Sequence, residues 1–214
     1  FGVNEVRKNN DYQDYNFGGT VGFKSKKITF RVGYKKTNIN QGLPGAVIFY
    51  NQTQDERLTT NSDLIFGDVV HVRNKFKLRG YASASSNSMN YLDPTYFNTA
   101  GKIDMDYRNR SATGGVSVNY DFKNIWELFG GIEIAISDLK TNDSTFALPV
   151  RVHNFALLGT RIKFNKIKFE ISASSQYVHE KNNNGIRAKD RFRLNPFVSI
   201  TGNPMDNKWI YEIW

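Results

Sequence analysis

Apolar and polar residues alternate from residue 116 to 122, break for a short turn, and alternate again to residue 136. Val116, Val118, Tyr120 and Phe122 share one face, with Ser117, Asn119 and Asp121 on the other. Beyond the turn, Trp126, Leu128, Ile132, Ile134 and Ile136 fall together, opposite Glu127, Glu133 and Ser137. Successive strand side chains point to opposite faces, so this period predicts a sheet with one apolar side. Runs of about nine to eleven residues are long enough for a tilted strand to cross a bilayer. Tyr120, Phe122 and Trp126 gather at the turn, where an interfacial aromatic girdle belongs. The pattern predicts a transmembrane β-hairpin.

The same unit repeats along the chain. A first strand over residues 15–24 carries Tyr15, Phe17, Val21 and Phe23 on one face. In the second, Ile28, Phe30, Val32 and Tyr34 alternate with Lys27, Thr29, Arg31 and Lys35. A third covers residues 63–73, and the fourth sets Phe76, Leu78, Gly80, Ala82 and Ala84 against Lys77, Arg79, Tyr81 and Ser83. The seventh ends at residues 160–164, and the eighth places Ile167, Phe169, Ile171, Ala173 and Tyr177 opposite Lys168, Glu170, Ser172, Ser174 and Gln176. A ninth begins near Arg191, and Trp209, Tyr211 and Ile213 mark a last one. Tight turns near residues 25, 74, 124 and 165 alternate with loops expected at 37–62, 87–110, 141–149 and 180–190. Short turns at one end and long loops at the other are the asymmetry of outer-membrane barrels, periplasmic and extracellular respectively.

Two positions strain this reading. If Val70 and Val72 face lipid, so does Asp68, and a β-bulge near Val69 would be needed to restore the register. Pro196 cannot donate to a central ladder.

Charge then separates the faces. The net charge is +9, yet Arg31, Lys35, Lys77, Arg79, Arg161, Lys163, Arg191 and Arg193 lie on the polar side of several strands. A Lys or Arg facing the bilayer midplane costs about 2–4 kcal/mol, so that side is the lumen. Charges spread over many strands do not form one patch with stacking aromatics, which argues against nucleic acid. No apolar run reaches the length of a membrane-spanning helix, which leaves barrel strands untouched as a reading. With no Cys, disulfides and thiolate metal sites are excluded. The sequence opens at Phe1 without Met or an apolar signal core, as a processed chain or a portion of a longer one would.

Chemical motifs are scarce. His71, His153 and His179 have no metal-ligand spacing, and the expectation is no resident metal. Asp104, Asp106, Asp138 and Asp143 could offer oxygen to a loop calcium ion, or be solvated loop acids. Glu127 and Glu133 are too far apart along one strand to work as an acid–base pair, and no nucleophile elbow, phosphate loop or dinucleotide fingerprint is present. No enzyme activity or cofactor is expected. Aromatics on the long loops are different. Phe49 and Tyr50 in the first, and Tyr91, Tyr96 and Phe97 in the second, are candidates for gripping a large amphipathic ligand over a barrel mouth. Packing of loop on loop is the alternative.

The segments Asp11-Tyr12-Gln13-Asp14-Tyr15-Asn16-Phe17-Gly18-Gly19, Gly42-Leu43-Pro44-Gly45-Ala46-Val47 and Tyr91-Leu92-Asp93-Pro94 resemble barrel segments of Bacteroidetes-type TonB-dependent outer-membrane receptors, nearest to the vitamin B12 (cobalamin) branch. That resemblance extends over the whole chain. It implies an antiparallel transmembrane β-barrel of about twenty-two strands, of which residues 1–214 supply about ten, in the outer membrane of a Gram-negative bacterium. It also implies import of a scarce bulky nutrient, cobalamin- or siderophore-like. The partners implied are a plug domain, a TonB-type energy-transducing protein and possible surface lipoproteins. The plug and the remaining strands are expected outside this chain. Lumen residues Arg31, Arg79, Glu133, Arg161 and Arg193 are then expected to face the plug.

Two other architectures stay open. One is a complete ten-stranded barrel acting as a passive pore or surface protein, although Trp214 has the wrong parity for a terminal membrane aromatic. The other is a water-soluble β-sandwich binding module.

Overall fold

The computed structural model describes residues 9–43, 55–96, 98–123, 125–146, 148–164, 167–182, 190–202 and 211–213. They form one antiparallel sheet in strict sequence order. Its strands are β1 (Tyr12–Lys24), β2 (Ile28–Gly42), β3 (Arg57–Arg73), β4 (Phe76–Asp93), β5 (Ile103–Phe122), β6 (Trp126–Thr141), β7 (Pro149–Phe164), β8 (Ile167–Asn182), β9 (Arg191–Gly202) and β10 (Tyr211–Ile213). Each strand pairs only with its neighbours, and β1 and β10 share no contact, so the described strands do not close into a ring.

Directly opposed residues of an antiparallel pair project to the same side, so the register sorts the whole sheet into two faces. Phe30 opposes Val69, Gly80 opposes Val116, which opposes Ile132, and Ile162 opposes Phe169. This face is apolar and uncovered: Ile132 is 60% exposed and Leu158 72%. Among the described residues no apolar side chain is buried. A water-soluble sheet hides its apolar face against a second layer, and among the described residues no second layer lies over this face. The outward band runs from Ala112 to Phe122 on β5 and from Trp126 to Ile136 on β6. Lipid is the medium that such a band faces.

The strands reach 20 residues in β5, well beyond what the membrane requires. Much of what the sequence pattern assigned to loops is therefore strand, because β2 continues to Gly42, β3 starts at Arg57 and β4 continues to Asp93. Runs such as Asn87-Ser88-Met89-Asn90 stand above the lipid with water on both sides, so alternation has no force to maintain it there. The long–short asymmetry nonetheless survives. Tight turns are built by Ser25, whose hydroxyl accepts from the Ile28 amide at 3.0 Å, and by Asn74 and Lys123 at φ 52° and 55°. Asn tolerates that left-handed region. Beside the third turn Tyr120 meets Phe122 edge to face and Phe122 stacks on Trp126, with ring centroids 4.4 and 4.8 Å apart.

The expected bulge in β3 is absent. Its register runs unbroken from Arg57 to His71 with β2 and to Arg73 with β4, and the outward residues are Ile65, Gly67, Val69 and His71. Asp68, Val70 and Val72 turn inward, where Asp68 meets Arg31 at 2.6 Å. The face assignment from Val70 and Val72 was wrong because a charged lumen partner outweighs two lumen-facing valines. Pro196 sits on β9 opposite Ala173, and among the described residues β10 pairs β9 only at residues 200–202. Trp209 and Trp214 lie outside the described residues.

Candidate functional site

Three lumen aromatics each lie over the glycine directly opposite on the neighbouring strand. Phe66 covers Gly33, Tyr81 covers Gly115 and Phe129 covers Gly159, leaving no room for a Cβ at any of the three glycines. A glycine opposite an aromatic lets the ring lie flat on the sheet and restores the packing that the glycine lacks. Above each ring sits a guanidinium: Arg31 is 6.0 Å from the Phe66 centroid, Arg79 5.7 Å from Tyr81 and Arg161 5.2 Å from Phe129. The lumen wall thus carries three Arg–aromatic–Gly sets, which hold cations at fixed heights.

Two of these cations are matched within the wall. Arg31 donates through Nε to Asp68 at 2.8 Å. Arg161 bridges Glu127 and Glu170 at 2.9 and 2.8 Å, and Asn119 donates to the same Glu127 at 2.9 Å. Lys163 stands 3.7 Å from Glu127. Glu133 accepts the Tyr81 hydroxyl, which reaches it across the bare backbone of Gly115. Arg79 lies over Tyr81 and has no ion pair among the described residues.

Higher on the same face, toward the long loops, β5 to β9 line a concavity of about 670 Å³. Arg151, Arg191 and Arg193 enter it, with His153, Gln176 and Glu180. Arg151 binds Glu180 at 2.9 Å, and Gln176 meets His153 at 2.7 Å. Among the described residues Arg191 and Arg193 have no ion pair, so three guanidiniums share one carboxylate there. An anionic group entering from the mouth would find unmatched positive charge. Of the expected lumen residues, the sheet brings Arg193 into this concavity and leaves Arg31, Arg79, Glu133 and Arg161 outside it. Arg151 and His153 were not linked to it by sequence. Their parity with Arg161 on one strand was the available signal.

At the end of β4, Tyr91 is half-buried and Tyr96 is 47% exposed at the start of the following turn. Burial pushes the Tyr91 phenol pKa up, and Glu56, Asp93 and Tyr96 push it further. Asp93 is buried at the base of that turn, accepting from the Thr95 amide at 3.0 Å. Phe49, Tyr50 and Phe97 lie outside the described residues. The base of the first long loop is tied by Asn9, whose amide donates to the carbonyls of Leu43 and Glu56 at 3.2 and 2.6 Å. Asp11 pairs with Arg57 at 2.6 Å, and that hydrogen-bonded guanidinium holds the carboxyl pKa below its ordinary value.

Among the described residues no three His, Asp or Glu side chains converge as a metal set. Asn90 donates to both Asp104 and Asp106, and Asp143 accepts from Thr145.

The fold is that of an outer-membrane β-barrel wall, with its outer side in lipid and a charged, aromatic-lined inner side. Similar folds occur in the alcaligin outer-membrane receptor FauA of Bordetella pertussis (13% identity, TM-score 0.66, 91% of this chain and 34% of that one). They occur also in FpvA of P. aeruginosa, solved with bound pyoverdines (10% identity, TM-score 0.68, 91% and 34%). A third is BauA, the ferric preacinetobactin receptor of Acinetobacter baumannii (9% identity, TM-score 0.66, 91% and 38%). The chain thus spans about a third of the length of these structures. No family model and no curated protein sequence matches it.

Proposed function

We propose that this chain forms part of the barrel of a TonB-dependent receptor in the outer membrane of a Gram-negative bacterium. The observation that carries this reading is the ten-stranded, unclosed sheet with lipid outside and unmatched cations inside, superposable along 91% of its length on siderophore-receptor barrels. An unpaired strand edge is not tolerated in lipid. The free edges of β1 and β9 are therefore read as joining further strands of a larger barrel. Arg79 and the rim of the concavity are the places where a plug domain's carboxylates would dock.

The substrate is a bulky anionic nutrient, taken up by energy coupling rather than by diffusion. Ferric siderophores are favoured, since FpvA was solved with an iron-bound pyoverdine and BauA is a ferric preacinetobactin receptor. Cobalamin is the second reading, and it rests on the sequence resemblance alone. Arg151, Arg191 and Arg193 would receive the anionic part of the ligand, with Tyr91 and Tyr96 at the mouth. The role is transport and not catalysis.

The test is uptake of labelled ferric chelates and labelled cobalamin by cells carrying the full-length protein, with and without an intact energy-transducing complex. Energy-dependent uptake of one ligand is expected, reduced by Arg191→Gln with Arg193→Gln. Energy-independent leakage of small solutes would instead identify a passive pore and overturn the proposal.

A further inference from the structure

The outer face carries an unexpected charge pairing just beyond the apolar band. Arg108 on β5 and Lys140 on β6 are directly opposed, so both project outward. Like charges facing each other across a ladder destabilise it unless an anion lies between them. One step nearer the membrane, Arg110 opposes Asp138. Among the described residues none of these three cations makes an ion pair. Asp63, the other acid on this row, already accepts the Tyr34 hydroxyl at 2.5 Å and stands 3.7 Å from Lys36. Farther out, Asp104 and Asp106 are both occupied by the Asn90 amide.

Directly below lies an outward groove of about 490 Å³. Ala84, Ala112, Ile65 and Ile136 line its apolar part, and Arg110 lines it together with Tyr34, Asp63, which Tyr34 and Lys36 already engage, and Asp138. The tight turns mark the periplasmic side, so this end of the band lies at the headgroup level of the outer leaflet. Apolar groove and cations are thus stacked in the order in which a lipid presents its chain and its phosphate.

We propose that this surface is a specific site for a phosphorylated, multiply acylated lipid of the outer leaflet. Arg108, Lys140 and Arg110 hold the phosphate, and one acyl chain occupies the groove over Ala84 and Ala112. The phosphate neutralises the opposed Arg108–Lys140 pair, which stabilises the β5–β6 ladder above the membrane. The site rests on the lipid-facing assignment and is independent of what the lumen transports.

The experiment uses the full-length protein purified in detergent and titrated with diphosphoryl hexa-acyl lipid A, with bound lipid counted by native mass spectrometry. Retention of the folded barrel is checked by its heat-dependent gel mobility. The double variant Arg108→Gln, Lys140→Gln is expected to weaken binding at least about tenfold, as two lost headgroup contacts should. Ala112→Phe, which fills the groove without changing charge, is expected to weaken it comparably. Lys35→Gln, on the lumen face, should leave it unchanged. Full binding by either the double variant or Ala112→Phe overturns the proposal. So does binding of inorganic phosphate as tight as that of the lipid, or a dimer that Ala112→Phe dissociates while lipid retention stays the same.

Discussion

The depth of Ile132 in the membrane gives the most demanding test of the two-faced wall. Its side chain projects outward between Val116 and Ala156 and is 60% exposed. A strand residue advances about 3.3 Å, and a tilt of about 40° turns this into roughly 2.5 Å of membrane depth. The outward band of β6, from Trp126 to Ile136, then spans about 25 Å, matching the apolar height of such barrels. Ile132 stands six residues above the Trp126 girdle, about 15 Å from the lower edge and close to the midplane. Ile132→Lys should therefore cost about 2–4 kcal/mol, a factor of roughly thirty to a thousand in the folding constant. Ile136→Lys, at the upper rim, should cost about 0–1 kcal/mol. Ala135→Lys, on the lumen face beside Thr113 and His153, should fold normally. Equilibrium unfolding in guanidinium from lipid vesicles measures all three in the full-length protein. Equal losses at Ile132 and Ala135, or no difference between Ile132 and Ile136, would refute the assignment of faces and of depth.

Arg161→Ala should destabilise the barrel by about 1–3 kcal/mol, since it leaves Glu170, 17% exposed, without its ion pair and Glu127, 14% exposed, with only Asn119 and Lys163. Unfolding midpoints check this, and a loss below about 0.5 kcal/mol would mean water already screens the pair. Gly115→Ala would put a Cβ 2.7 Å from the Tyr81 ring and displace the hydroxyl from Glu133, for about 1–3 kcal/mol. Combined with Tyr81→Ala it should cost less than the sum of the single changes, whereas strict additivity would separate the ring from the glycine. At the mouth, the Asp11 carboxyl titrates below its unfolded value of 3.8 because Arg57 binds it. Its contribution is present above that pH and is lost as pH falls through the depressed pKa. Hydrogen-exchange protection of the Gly42 amide, which donates to the Asp11 carbonyl at 2.9 Å, should fall in that acid range. In Asp11→Asn that pH dependence should vanish.

Alternation along the chain carried the strand count, the turn–loop asymmetry and the inward aim of Arg31, Arg79, Arg161 and Arg193. Lipid enforces it, because every outward residue inside the band meets the same solvent and a charge there is costly. Where the strands leave lipid, at Thr37-Asn38 or Asn87-Ser88, that pressure stops and strand reads as loop. Asp68 shows a second limit. Its face depends on Arg31, 37 residues earlier, which only the pairing of β2 with β3 brings opposite it. The same holds for Tyr81 reaching Glu133 over Gly115, and for Arg151 and His153 lining one concavity with Arg193. These contacts join strands that are distant in sequence, so register and not local pattern decided them.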